Sequence, residues 1–293
     1  MRPHVIGTFM NYGFFDDEYE MAKNGYSGQD RMSPLQFAVM GGIFVLIIFI
    51  CILLRRQKKE NVFKIYKVIS FVIPVMEIVK IIFSSVADIT KGAGFSWGGI
   101  LPFYTCSMII YFLPFVAWGK GWMARFSMAY FCTIGLVAGL SNFIYLSAAG
   151  FYPIFSYGGL HSVIMHSLIV FVGMSLLITG IYVPNLKSIY EGMVPIVMFG
   201  IPVMVINFVI DHFNNHGWVD YMLLMYGNGF PIIGDLAVYM RDHGMHVFFS
   251  LLILFIVYPI ATALMTFIIM GIRKAVIKIK EKNQNNSGEY AEE

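Results

Sequence analysis

The sequence predicts an all-α membrane protein, a polytopic helical bundle with seven transmembrane helices. Its composition is the first indication: 58% of the 293 residues are hydrophobic and 13% are charged, whereas soluble domains are about 45–50% apolar and about 25% charged. The mean hydropathy is +0.72. The second indication is seven apolar stretches of the ~20 residues that a helix needs to cross a hydrocarbon core about 30 Å thick. These features exclude a soluble enzyme, a disordered chain and a nucleic-acid-binding protein.

The predicted spans divide the chain into a leader (residues 1–34), a membrane domain (35–272) and a polar tail (273–293). The end of the tail beyond Lys280 is expected to be disordered. Residues 213–245 form the longest connection between spans. The spans are residues 35–54, 65–87, 99–118, 126–149, 160–183, 193–212 and 246–272.

Basic residues predict the orientation of the bundle. Nineteen lysines and arginines lie outside the membrane-embedded part of the chain or at helix ends. Fourteen of them are on one side: in the connections after spans 1, 3 and 5, at the helix ends that adjoin these connections, and in the tail. Positively charged connections stay on the cytoplasmic side of a membrane. We therefore predict an extracytoplasmic leader with the N-terminus outside, and a cytoplasmic tail with the C-terminus inside.

Polar residues in the outer half of the bundle are the first candidates for a site. Glu77 and Lys80 lie three residues apart on one face of the second span. Because charges inside a membrane are costly, both are expected to face the bundle interior, as a structural ion pair or as part of a polar cavity. All seven histidines fall on the outer side, which favours a cavity open to the outer leaflet. Asn142, Asn207 and Asp211 are further substrate-binding candidates there.

Cys106 is the candidate nucleophile, since it is the one cysteine in the outer half of the bundle. It lies about seven residues into the third span, roughly 10 Å deep at 1.5 Å per residue. His166 lies about six residues into the fifth span, roughly 9 Å deep. A thiolate is nucleophilic and an adjacent histidine takes its proton, so the matched depths predict a Cys106–His166 pair. The alternative is a cysteine that only packs.

His161 competes with His166 for the same partner. It precedes His166 by five positions, about 140° around a helix, so the two imidazoles are not expected to face one partner equally. Because His161 is shallower, we expect it at the rim of the cavity, among the substrate-binding residues.

The connection 213–245 is apolar and aromatic rather than hydrophilic. Beside a membrane, such a segment folds back over the bundle as a lid or lies at the interface as a plain helix. Two histidine pairs in and beside it have spacings compatible with metal ligation. Without a recognised zinc signature we expect no metal, and no motif indicates a cofactor.

Three short segments resemble the YwaF and transmembrane protein 164 family of integral membrane proteins. In that family a Leu-Pro or Asn-Pro start leads into a cysteine within a helix, and residues 101–107 read Leu-Pro-Phe-Tyr-Thr-Cys-Ser. About sixty residues later the family has a histidine followed by an apolar helix, as at His166. Its Asn-Tyr-Met-x-Leu element is similar to residues 220–224, where Asp220 replaces the asparagine. The resemblance covers about residues 35–272.

The resemblance implies an activity, because the mammalian branch is associated with an acyltransferase that moves a fatty acyl chain between lipids using a cysteine and a histidine. Cys106 would accept the acyl group, His166 would be its base, and Asp220 and Tyr221 would help to bind the substrate. The partner would be a membrane lipid, a phospholipid or its acyl chain, and the location a cell membrane, as a multi-pass protein of the bacterial plasma membrane. The alternatives are a non-enzymatic carrier or binding protein for a small solute or lipid, and a receptor-like accessory protein. No nucleic-acid partner is expected, and the sequence gives no oligomeric state.

Overall fold

The computed structural model describes residues 34–90, 101–145, 156–213, 219–225 and 231–289. Within these ranges the regular elements are helices, as predicted, and no strand is present. Residues 1–33, nearly all of the predicted leader, lie outside the described part of the chain. The α-helices are α1 (Pro34–Leu54), α2 (Lys59–Thr90), α3 (Met108–Trp118), α4 (Trp122–Cys132), α5 (Ile134–Tyr145), α6 (Tyr157–Ile178), α7 (Lys187–Phe213), α8 (Pro231–Asp242), α9 (His246–Leu252) and α10 (Tyr258–Glu289).

Five helical stretches of the described chain are long and apolar enough to cross a membrane, and Thr105–Trp118 is apolar but shorter. The outward faces of the helices carry large exposed apolar side chains, such as Phe49, Phe71 and Leu264, as contact with lipid tails requires. The multi-pass membrane class is thereby confirmed, whereas the count of seven spans and the orientation of the termini remain predictions. The five stretches are Phe37–Leu54, Trp122–Phe143, Tyr157–Ile178, Lys187–Phe213 and His246–Glu281.

The core lies where the helices pack together. α4 packs against α7, α2 against α3, and α6 against α1, α4 and α5. Tyr66 and Tyr130 are fully buried, and each phenol has the hydrogen-bond partner that burial demands. The Tyr66 hydroxyl lies 2.7 Å from the Ser175 hydroxyl and ties α2 to α6. The Tyr130 hydroxyl donates to the Thr105 carbonyl over 3.2 Å, which fixes the segment that precedes α3.

The third predicted span does not begin as an α-helix. Residues 101–104 are irregular, Thr105–Ser107 form a 3₁₀ turn, and α3 follows. Pro102 contributes to the irregular start, because proline disfavours a helical conformation in the residue before it. The Tyr104 backbone is likewise extended, with φ −70° and ψ 156°. Cys106 therefore lies in a turn ahead of a short helix, and its predicted place seven residues inside a helix is wrong.

The fourth predicted span is divided into α4 and α5 at Thr133. The Thr133 backbone leaves the helical region, with φ −123° and ψ −99°, and its hydroxyl donates to the Ala129 carbonyl over 2.7 Å. α6 approaches this joint closely, since a Cβ at Gly173 would lie 2.3 Å from the Phe131 carbonyl oxygen. Helix packing around the joint, rather than a proline, accompanies the interruption.

The last predicted span is longer and less regular than expected. It begins as α9, passes through a π-helical turn at Ile253–Val257 and continues as α10 to Glu289. The prediction of disorder directly after Lys280 is wrong, because the helix continues to Glu289, and residues 290–293 lie outside the described part of the chain. Adding residues to an existing helix costs less free energy than nucleating a new one. The stable span therefore allows the polar residues that follow it to stay helical.

Candidate functional site

Glu77 is the centre of a buried polar cluster between α2 and α6. Its side chain is 3% exposed, and its Oε1 lies 2.6 Å from Lys80 Nζ. Its Oε2 lies 2.9 Å from His161 Nε2, and because a carboxylate only accepts, the imidazole donates. Both carboxylate oxygens therefore have the partners that a buried charge requires. The prediction that Glu77 faces the bundle interior is confirmed, and Lys80 lies at the edge of the cluster with 21% of its side chain exposed.

His161 is buried, so the prediction of a rim position is wrong. Its partner is Glu77 of α2. The separation of about 140° between His161 and His166 around the helix concerned only a partner that the two histidines would share. Tyr157, one turn earlier on α6, packs its ring against the imidazole with centroids 6.3 Å apart. The Tyr157 hydroxyl donates to the Met76 carbonyl over 2.9 Å. Two side chains of α6 are thus held by adjacent residues of α2, and the sequence offered no signal for Tyr157.

Cys106 lies beside this cluster. The turn Thr105–Ser107 contacts α6 and α5. The Cys106 thiol is close enough to Lys80 and Glu77 to interact electrostatically with both charges. The Cys106 side chain also packs against the hydrophobic core, so the thiol lies at the border between that core and the polar cluster.

The other two cysteines have a different environment. Cys51 and Cys132 are completely buried. Their sulfurs lie 3.9 Å from the Phe171 carbonyl oxygen and 3.7 Å from the Gly173 carbonyl oxygen. A buried thiol that contacts only a backbone carbonyl is typical of a cysteine with a packing role. Cys106 is therefore distinct among the three cysteines.

His166 is buried on α6. Its Nδ1 lies 2.7 Å from the Ser162 carbonyl oxygen, which can only accept, so Nδ1 carries the hydrogen. In the neutral ring the lone pair is then on Nε2, the arrangement that a general base needs. Within the described residues no hydrogen bond joins this imidazole to the thiol of Cys106, and the pairing of the two residues remains a prediction.

Residues 219–225, within the long connection, are folded into the bundle. Asn207 of α7 holds them by two bonds: its Nδ2 donates to the Tyr221 carbonyl over 2.9 Å, and its Oδ1 accepts from the Tyr221 N–H over 3.2 Å. Asp220 Oδ1 accepts from the Met225 N–H over 2.8 Å. These contacts of Asn207 and Asp220 shape the segment itself.

The same segment covers the residues that lead to Cys106. The Tyr221 ring packs edge-to-face on Tyr104 and Phe103, with centroids 5.0 and 5.6 Å away. Burial raises the pKa of Tyr221 above its ordinary value, so the phenol stays neutral. From the other side, Tyr258 donates to the Met222 carbonyl over 2.7 Å. The rest of the connection is partly helical, as α8.

The remaining candidates are dispersed. Asn142 is buried on α5, and Asp211 is half-buried near the end of α7. His212 and His243 are exposed, and His216 lies outside the described residues. Across the described ranges, no group of three histidine, cysteine, aspartate or glutamate side chains is arranged to hold a metal ion.

The helices and the buried polar cluster define a multi-pass membrane protein of helical-bundle type. A model of the TMEM164 family matches residues 31–262, most of the chain and all of the candidate residues. The chain belongs to this family, which confirms the resemblance seen in its three short segments. No curated protein and no solved structure matches the chain.

Proposed function

We propose that the protein is a lipid-modifying acyltransferase in which Cys106 is the nucleophile and His166 the general base. The observation that carries the proposal is the position of Cys106, the one cysteine of three whose thiol interacts with charged side chains, those of Lys80 and Glu77. Membership of the TMEM164 family supports it, since acyl transfer is the activity that the resemblance implies. The tautomer of His166 also suits a base, because Nε2 holds the lone pair.

The proposed reaction runs through a thioester. The Cys106 sulfur attacks the carbonyl carbon of a lipid ester while His166 Nε2 takes the thiol proton, and that proton passes to the alcohol oxygen as the carbon–oxygen bond breaks. The products are a lysolipid and an acylated Cys106. A hydroxyl or amine of a second lipid then attacks the thioester, His166 accepts its proton, and the proton returns to the departing sulfur. Nothing is oxidised or reduced.

Glu77, Lys80 and His161 are proposed to form the polar wall of the substrate site. Lys80 keeps part of its side chain exposed, so its ammonium is suited to the negative charge of a lipid headgroup or of a reacting carbonyl oxygen. Asn142 and Asp211 are proposed to contact the substrate from α5 and α7. Asn207, Asp220 and Tyr221 would act through the segment 219–225, which covers the approach to Cys106.

We further propose that the site opens to the outer leaflet of a bacterial plasma membrane. The topology would be seven spans with the N-terminus outside, a lid formed by residues 213–245 and a cytoplasmic tail from residue 273. The distribution of basic residues supports this orientation. The connections after the third and fifth predicted spans also border one common cavity, which agrees with their lying on the same side of the membrane.

A carrier or binding protein for a small solute or lipid is the second candidate. The Glu77–Lys80–His161 cluster favours it, because ionisable groups inside a membrane often mark the path of a transported solute. Such a protein would bind its ligand without forming a covalent adduct on Cys106. The two functions therefore differ in one measurable product.

Mass spectrometry of the purified protein tests the proposal. The wild type, Cys106→Ala and Cys51→Ala are incubated with phospholipid that carries a heavy-isotope acyl chain, and peptides are examined for a hydroxylamine-labile acyl group. Cys51→Ala is the matched control, since its thiol is buried at a distance from the cluster. We expect an adduct on Cys106 in the wild type and in Cys51→Ala, and none in Cys106→Ala. Lipid bound without any adduct would favour the carrier.

A further inference from the structure

A second polar site lies at the opposite ends of α3 and α6 from Cys106 and His161. A cavity of about 500 Å³ opens there between the α3–α4 connection and the α6–α7 connection. This volume is within the range of about 300–1,000 Å³ that small-molecule sites occupy. Lys120 and Arg125 line it on one side, and Tyr182, Asn185 and Glu191 line it on the other.

Glu191 fixes the guanidinium of Arg125 in this cavity. The carboxylate is 1% exposed and its Oε1 lies 2.7 Å from Arg125 Nη2, while the arginine side chain is 54% exposed. The Tyr182 hydroxyl lies 2.8 Å from the Ser188 hydroxyl and 3.3 Å from Oε2, and Tyr190 donates to Oε1 over 3.4 Å. The carboxylate of Glu191 is therefore enclosed by groups of the protein itself.

The cavity has cationic groups available for a ligand. The guanidinium of Arg125 contacts Glu191 through Nη2, while 54% of the arginine side chain is exposed, so other N–H groups of the guanidinium are available. Lys120 is exposed beside it and has no ion pair in the described ranges. Two cations against the one carboxylate of Glu191 give the cavity a net positive charge.

Exposed aromatic residues place the cavity at the level of lipid headgroups. Trp118 and Trp122 flank the α3–α4 connection and are 47% and 59% exposed, and Tyr190 is 55% exposed beside Glu191. Tryptophan and tyrosine concentrate at membrane–water interfaces. The mouth of the cavity therefore faces the layer that contains phospholipid phosphates.

We propose that this cavity binds the phosphate of an anionic phospholipid from the leaflet on its own side. The planar guanidinium of Arg125 matches a phosphate with two parallel N–H donors, and Lys120 adds a second positive charge. The carboxylate of Glu191 is 1% exposed, so it is out of reach of the ammonium of a zwitterionic headgroup, and an anionic headgroup such as phosphatidylglycerol is preferred. The site does not depend on the acyl-transfer chemistry proposed for Cys106.

Lipid titration by native mass spectrometry tests the proposal on the full-length protein in detergent. Dioctanoyl phosphatidylglycerol and dioctanoyl phosphatidylcholine are compared on wild type, Lys120→Ala and Lys187→Ala. Lys187→Ala is the matched control, because Lys187 is an exposed lysine at the same end of the bundle that does not line the cavity. We expect tighter binding of phosphatidylglycerol to the wild type and to Lys187→Ala, and about fivefold weaker binding to Lys120→Ala.

Arg125→Lys provides a second variant that keeps a cation opposite Glu191, so that the fold is preserved. It should bind phosphatidylglycerol more weakly than the wild type, because an ammonium lacks the bidentate fork. Competition with inorganic phosphate distinguishes a lipid site from a site for free phosphate, and we expect little displacement. Equal affinity of wild type and Lys120→Ala, or displacement by inorganic phosphate at the lipid's own concentration, would overturn the proposal.

Discussion

At the scale of single residues, the bundle keeps a negative charge in its interior by giving it two donors. Glu77 is bonded to Lys80 of its own helix and to His161 of α6. The cost of removing a carboxylate from water is offset only while both contacts last. Removal of one charge of the pair is consequently expected to destabilise the protein more than removal of both charges.

The first prediction concerns this asymmetry. Lys80→Met should destabilise the protein by about 3 kcal/mol, because it removes a buried charge's main counter-ion. Adding Glu77→Gln should restore much of the loss, since a neutral amide can still accept from His161. The midpoint of thermal unfolding in detergent measures both effects. A double variant that is less stable than Lys80→Met would contradict the explanation.

The two histidines of α6 should respond differently to substitution. His166→Ala should slow acylation of Cys106 by about 10²–10⁴-fold, the usual contribution of a general base. His161→Ala should instead lower thermal stability, because it strands one oxygen of Glu77. Single-turnover acylation and thermal unfolding are compared on the same preparations. If His161→Ala alone abolished acylation, the base would be His161.

Sequence reasoning succeeded for Glu77 and failed for His161 for one reason. Two charges three residues apart on one helix share a face whatever the tertiary structure, so Glu77 and Lys80 could be paired from spacing. The partner of His161 is on another helix, and the position of α6 beside α2 is set by packing that no local pattern records. Depth alone therefore could not show that His161 is buried.

At the scale of elements, the segment 219–225 is held by side chains of its neighbours. Asn207 supplies two hydrogen bonds from α7, and Tyr258 supplies another from α10. Met222 and Leu223 have positive φ values of 58° and 57°, which side-chain-bearing residues adopt at a cost. The contacts with α7 and α10 must offset that cost.

Asn207→Leu should therefore release this segment. Loss of two hydrogen bonds of about 1 kcal/mol each predicts roughly thirtyfold faster hydrogen exchange at the amides of Tyr221 and Met225. Hydrogen–deuterium exchange with mass spectrometry measures it, and Asn61→Ala, an exposed asparagine on α2, is the control. Unchanged protection of residues 219–225 would show that other contacts are sufficient.

Gly173 is where α6 comes closest to the α4–α5 joint. Gly173→Ala should cost about 1–3 kcal/mol, because the new Cβ would lie 2.3 Å from the Phe131 carbonyl oxygen. Gly271→Ala is the matched control, since nothing lies within 4 Å of a Cβ there, and it should leave stability unchanged or higher. Thermal unfolding of the two variants decides the point. Equal stability would mean that α6 moves away without penalty.

The existence of most helices followed from the apolar runs, and their interruptions did not. A stretch of 20 apolar residues predicts a span regardless of detail. The break at Thr133 lies within such a run, among residues that favour no interruption. The π-helical turn at Ile253–Val257 comes directly before Tyr258-Pro259, and proline disturbs the preceding turn because it lacks an N–H and its ring crowds a carbonyl there. The break at Thr133 lies where α6 approaches closely at Gly173, which is a property of the assembled bundle and not of the local sequence.

At the scale of the whole molecule, the two proposed sites lie at opposite ends of α3 and α6, which makes the orientation of the bundle testable. Lys58→Cys, in the connection between α1 and α2, should react with a membrane-impermeant thiol reagent only from the cytoplasmic side. Tyr239→Cys on α8 should react only from the outside. Both positions are exposed, and the substitutions are made in a chain whose native cysteines are replaced by alanine. Labelling of both from the same side would refute the proposed topology.

The length of α10 has a consequence for what surrounds the protein. The helix runs to Glu289, and at 1.5 Å per residue it reaches roughly 25 Å past the predicted end of the span at residue 272. Such a continuous rod acts as a spacer, because a helix, unlike a flexible linker, transmits both distance and direction. Anything joined to its far end, whether a fused reporter or a neighbouring protein, would stand clear of the lipid surface at a set height.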